Sequence, residues 1–164
     1  NSVVELAGGR LLMFFRTSTG FAYAATSDDK GMTWTEPAST GIDTPDSKTQ
    51  LVQLMGPQHS KGPLLLAYNA HKRTTMAGPD GGEKKLPPKC ITLLSLGISE
   101  DEGQTWRKLA TLRGSTAPGL RFHYPWVLQL GCRLVVAYSK FYVTGYKHTE
   151  NDRELGIRLV HVHI

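Results

Sequence analysis

"SDDKGMTW" at Ser27–Trp34 and "SEDEGQTW" at Ser99–Trp106 are the stretches on which the reading of this chain turns. Both octapeptides carry Ser, Asp, Gly, Thr and Trp at the same five places: Ser27, Asp29, Gly31, Thr33 and Trp34 in the first, Ser99, Asp101, Gly103, Thr105 and Trp106 in the second. Each shared residue has a structural use. An Asp side chain accepts hydrogen bonds from backbone N–H groups of its own loop and from a nearby hydroxyl. Gly suits a backbone position with positive φ. Trp brings a large apolar surface that folds back between layers. The competing reading makes Asp29 and Asp101 metal ligands or general bases. The staple reading explains all five positions and is preferred.

Working outward, the octapeptides stand in register with a longer repeat. "GRLLMFFR" (Gly9–Arg16), "GPLLLAYN" (Gly62–Asn69) and "RLVVAYS" (Arg133–Ser139) are apolar runs with an aromatic at one shared place, Phe15, Tyr68 and Tyr138. Shorter strand-like pieces precede them: "SVVEL", "TQLVQL" and "PWVLQL". A third run follows each, and in the first two units it leads straight into the octapeptide. A fourth strand is expected to leave from the Trp, in "TWTEPAS" and "TWRKLATL". No segment holds a 3.6-residue apolar period, while Gly and Pro punctuate strand-like runs. The expectation is an all-β chain of antiparallel four-stranded blades, a partial β-propeller. Blades are expected at 1–48 and at 49–118, the second carrying an inserted loop at 71–89, with an incomplete third at 119–164. A ring closes with roughly four to eight blades. The remainder is therefore expected from the same longer protein, from a partner chain, or from a second copy. The final run "IRLVHVHI" would otherwise be an uncovered apolar edge.

The octapeptide pattern resembles the Asp box of sialidases (neuraminidases) and related six-bladed propellers with BNR repeats. "NSVVELAGGRLLMFFR" is similar to the sialidase segment in which a catalytic Glu is followed by N-x-V-V-E-L-x-D-G-R and ends on an Arg that binds the substrate carboxylate. The resemblance gives that role to Arg16, places the catalytic Glu before Asn1, and makes Glu5 a non-catalytic match. "RFHYPWVLQLGCRLVVAYS" resembles the segment that carries the family's nucleophilic Tyr, which corresponds to Tyr124. A tyrosine nucleophile suits a sugar that already bears a carboxylate at its reacting carbon, because a second anion there is repelled. Its phenol, with an ordinary pKa near 10, needs a base. One departure stands out. Where the family carries a third carboxylate-binding Arg, eight residues before the Ser of the box, this chain has Ile91. An alkyl group replaces no bidentate cation. Arg73 and Lys89, in the inserted loop, are the candidates to reach in for it.

The resemblance covers nearly the whole chain as the C-terminal half of a sialidase-like propeller. It implies an ancestral exo-glycosidase activity on terminal sialic acid or a related acidic sugar, with catalysis not expected of this chain by itself. The alternative is a degenerate, non-catalytic propeller that binds glycans or proteins. Asn69 and Ser139 occupy the repeat position of Arg16, which makes Asn69 a further substrate-binding candidate. His123 beside Tyr124 is a conceivable base, although a lone His is more often structural.

The 164 residues are 40% hydrophobic and 20% charged, with a net charge of +5. That balance suits an acidic sugar or glycan. No basic stripe is interleaved with aromatics, so nucleic acid is not an expected partner. No apolar run approaches a membrane span. No signal peptide is expected, and the abrupt strand-like start suggests a chain beginning inside a longer product. Cys90 and Cys132 lack any paired spacing, and His148, His161 and His163 lack a third ligand in pattern. No metal or cofactor is expected, and the compartment is not encoded.

Overall fold

The computed structural model describes residues 1–70, 75–77, 83–85, 91–115, 119–143 and 154–164. Among them there are strands and two short 3-10 turns, and no α-helix. The first sheet holds β1 (Ser2–Glu5), β2 (Leu11–Phe15), β3 (Phe21–Ser27) and β4 (Ala38–Asp43) in sequence order. The second runs β5 (Gln50–Met55), β6 (Lys61–Asn69), then, past a short hairpin of β7 (Thr75–Ala77) and β8 (Glu83–Lys85), β9 (Leu93–Ser99) and β10 (Arg107–Gly114). The third has three strands, β11 (Leu120–Leu130), β12 (Arg133–Tyr142) and β13 (Gly156–His163). All pairings are antiparallel. The edge strands β1, β5 and β11 lie side by side, so the sheets converge there and fan out like blades. No described helix is long and apolar enough to cross a membrane.

Burial explains the apolar runs. On β6, Leu64, Leu66 and Tyr68 face the first sheet, in a core with Val4, Leu12, Phe14 and Leu51. Leu65 and Ala67 face the third sheet, in a core with Leu96, Val127, Leu134 and Val136. A strand covered on both faces has no reason to alternate, and "LLLA" does not. Trp106 enters the first of these cores, its ring 5.5 Å from that of Phe14 in an edge-on contact.

The converging edge strands leave backbone groups that no further strand pairs, and side chains of neighbouring sheets satisfy them. The Ser2 hydroxyl accepts from the Leu51 N–H at 2.8 Å. The Gln50 amide oxygen accepts from the Val127 N–H at 2.7 Å. The Gln129 amide accepts from the Met55 N–H and donates to the Met55 carbonyl, at 2.8 and 2.9 Å. Lys61 Nζ closes the other junction by donating to the Glu5 and Leu6 carbonyls.

The fourth strand differs between the sheets. In the second, β10 leaves directly after Trp106, as its sequence suggests. In the first, β4 begins only at Ala38. The Thr35 N–H is bonded to the Thr26 carbonyl, Thr35 Oγ1 accepts from the Thr26 N–H, and Pro37 has no N–H to give a ladder. The third sheet presents Trp126, Leu128, Leu130, Ile157 and Leu159 to solvent on the face turned away from the second. Leu54, the repeat counterpart of Leu130, is 6% exposed between two sheets, whereas Leu130 is 50% exposed.

Candidate functional site

The octapeptides form two nearly superimposable hydrogen-bonded turns. In the first, Ser27 Oγ donates to Asp29 Oδ1 at 2.8 Å and accepts from the Gly31 N–H at 2.8 Å. Asp29 also accepts from the Thr33 N–H at 2.8 Å and from the Thr33 hydroxyl at 2.6 Å. The Trp34 indole donates to the Gly31 carbonyl at 3.0 Å. In the second, Ser99, Asp101, Gly103, Thr105 and Trp106 repeat every one of these bonds. Hydrogen bonds from the Thr residue first, then from the Ser, pull both carboxyls down to about 2. Carboxylates saturated this way serve the turn. Among the described residues no three His, Cys, Asp or Glu side chains gather as a metal site.

The sequence-derived candidates lie where β2, β6 and β12 end. Arg16, just after β2, is exposed, and its Nε lies 2.7 Å from Asp46 Oδ1. Asp46 comes from the connection between the first two sheets, and the next residue, Ser47, continues the network. Ser47 Oγ donates to Asn69 Oδ1 at 2.5 Å. The Asn69 amide nitrogen donates to the Leu93 and Phe122 carbonyls, at 3.1 and 2.9 Å. Asn69 is fully buried. Its amide joins the linker, β9 of its own sheet and β11 of the third sheet on one side chain. Ile91 lies at the same junction, 0% exposed, its carbonyl accepting from the Phe122 N–H at 2.9 Å.

Two residues on from Phe122, the strand breaks its alternation. His123 pairs with Ser139 and Trp126 pairs with Ala137, so Tyr124 and Pro125 together oppose Tyr138. This is a β-bulge, where an extra residue re-aims a side chain. Pro125, with no N–H, fits a position outside the ladder. Tyr124 takes φ 53 and is 52% exposed. A bulky residue in the left-handed region stores about 1–3 kcal/mol of strain, which surrounding structure must hold in place. The His123 ring supports it edge-on at 5.0 Å and is itself packed on Phe141 at 5.2 Å.

The structure thus brings Asn69, Ile91 and Tyr124 to one cluster of strand ends and ties Arg16 to the same linker through Asp46. Asp46 and Ser47 escape a reading by sequence because "DTPDSK" has the composition of any loop. The exposed His161 and His163 lie on β13, away from these ends, and the free Cys132 lies in the β11–β12 turn. Arg73, Lys89, Cys90 and His148 lie outside the described residues.

The sequence profile of the BNR repeat-like domain matches residues 1–136. No curated protein sequence matches the chain. Among solved structures, an α-L-arabinofuranosidase of Fusarium graminearum bound to an iminosugar inhibitor superposes with a TM-score of 0.63 at 20% identity, over 98% of this chain and 43% of its own. An α-L-arabinanase of Penicillium chrysogenum complexed with arabinobiose gives 0.62 at 20% identity, over 98% and 44%. The intramolecular trans-sialidase of Ruminococcus gnavus, with oseltamivir carboxylate, gives 0.59 at 18% identity, over 85% and 28%. The chain spans less than half the length of each, and at such identities the likeness is one of fold.

Proposed function

We propose, for a chain that belongs to the BNR repeat-like domain family, that it forms part of a glycosidase-type propeller whose strand-end face receives a terminal acidic sugar such as sialic acid. The observation that carries this reading is Tyr124, an aromatic hydroxyl held strained and exposed on a bulge at the strand ends. Arg16 supports it. Asp46 lies against its Nε, and the guanidinium stays exposed enough to face a carboxylate. In the retaining reaction, the Tyr124 oxygen bonds to the anomeric carbon as the glycosidic C–O bond breaks. The phenol proton passes to a base, the departing alcohol takes a proton from an acid, and water then displaces the phenol. Arg16 and Tyr124 supply neither the base nor the acid, so turnover belongs to the completed propeller. The apolar outer face of the third sheet, the counterpart of a face that the second sheet buries, supports completion by further blades.

The test is release of fluorophore from a sialoside by the complete propeller, with an aryl α-L-arabinofuranoside alongside. Sialoside cleavage that falls at least about a hundredfold in Tyr124→Phe is expected. Cleavage of the arabinoside alone overturns the acidic-sugar reading. The second reading, a propeller that binds without turnover, is favoured by Ile91, which is sealed in apolar packing where the sialidase resemblance calls for a cation. Sialoside binding without hydrolysis selects it.

A further inference from the structure

One cleft has neither Arg16 nor Tyr124 in its lining. It measures about 470 Å³ and lies between β4 of the first sheet and the outer part of the second, within the range for a small ligand. Asp43, Tyr68, Gly97, Gln104, Trp106 and Lys108 line it.

Gly97 is the informative residue. It lies inside β9, where glycine weakens a strand, and it is not among the glycines with positive φ. The backbone conformation therefore gives no reason for it. A Cβ there would stand 3.4 Å from Tyr68 Cε1 and 3.7 Å from Trp106 Cε3. The missing side chain leaves space between two aromatic rings. The Trp106 indole donates to the Gly103 carbonyl at 3.1 Å and packs against Phe14, and Tyr68 is held in the core between the first two sheets. Thr40, Thr105 and Arg107 are engaged by the fold, and four other polar groups of the lining are not. Among the described residues, no hydrogen bond engages the Tyr68 hydroxyl, the Asp43 carboxylate or the Gln104 amide, and no acid pairs with Lys108. Burial, and then the charge of Asp43, push the Tyr68 phenol up, so the hydroxyl stays a donor.

Rigid aromatic surface beside a carboxylate, a neutral phenol, an amide and an ammonium selects a ligand with a C–H face and a hydroxyl edge. An anion meets Asp43, and an organic cation meets Lys108. We propose that this inter-sheet cleft is a second saccharide site, which takes one neutral sugar unit of a glycan. The site is independent of the strand-end reading.

The test is saturation-transfer NMR on the full chain with the methyl glycosides of glucose, galactose, mannose, xylose and arabinose. Transfer to at least one is expected. Its affinity should fall about fivefold in Gln104→Ala and about tenfold in Asp43→Asn, both substitutions of side chains that carry no internal hydrogen bond. It should be unchanged in Tyr124→Phe. No transfer from any of the five, transfer indifferent to both cleft substitutions, or loss in Tyr124→Phe overturns the proposal.

Discussion

Replacing Asn69 with Ala tests whether the strand ends are held by that single amide. The side chain is fully buried and makes three bonds, at 2.5 Å from Ser47 Oγ, 3.1 Å to the Leu93 carbonyl and 2.9 Å to the Phe122 carbonyl. Each such bond contributes about 0.5–1.5 kcal/mol net, and a buried partner left unsatisfied costs about 1–3 kcal/mol. The carbonyls can each accept a second bond, and Ser47 Oγ keeps a 3.4 Å contact with the Lys48 carbonyl, so the orphaning is partial. The expected loss is about 3 kcal/mol, a large fraction of the roughly 5–15 kcal/mol that holds a domain. Urea denaturation reads it as a lower midpoint with an unchanged m value. Asn69→Asp should do worse, because a carboxylate would face two carbonyls. A double-mutant cycle with Ser47→Ala should return about 1 kcal/mol of coupling. A loss under about 1 kcal/mol for Asn69→Ala, with the cycle flat, refutes the anchoring role.

The Asp boxes predict an acid-labile contribution. Asp29 and Asp101 have folded-state values of about 2 against an ordinary 3.8. A lowered folded value means stability that is complete above about pH 4 and lost as pH falls towards 2. Thermal melts across that window should fall more steeply in the native chain than in Asp29→Asn/Asp101→Asn, and equal slopes contradict the assignment. The blade faces predict a contrast between repeat counterparts. Leu54→Ala should cost about 2–5 kcal/mol by leaving a cavity between sheets, and Leu130→Ala under about 1 kcal/mol in the chain alone. Equal costs in the chain alone would mean that the exposed face is not the one described.

What the sequence discloses depends on how local the cause is. The octapeptide turns are legible because every bond in them closes within eight residues. Even there the backbone adds a detail: Lys30 and Glu102, as well as the glycines that follow them, take positive φ. Two successive left-handed residues turn the chain tightly enough for Ser27 and Asp29 to collect the Gly31 and Thr33 N–H groups, and Ser99 and Asp101 do the same. The double-sided burial of β6 is legible in "LLLA" because coverage on both faces removes alternation. The start of β4 is not, since the Thr26–Thr35 pairing that delays it depends on how the turn docks.

At the strand ends the causes are between sheets, and periodicity is blind to them. Asn69 reads as a substrate-binding candidate because it shares the repeat position of Arg16. The difference is the neighbour: Arg16 pairs with the linker, while Asn69 has the third sheet, whose Phe122 carbonyl closes over it. A cation at that depth would need an acid partner, and an amide satisfies two carbonyls and a hydroxyl without one. The same closure seals Ile91, where an Arg would have to bury its charge. Tyr124 escapes it only because the bulge lifts it out of the ladder one residue before Pro125. The bulge thus leaves Tyr124 open, as Arg16 is open beyond the reach of the third sheet, while Asn69 and Ile91 become structure.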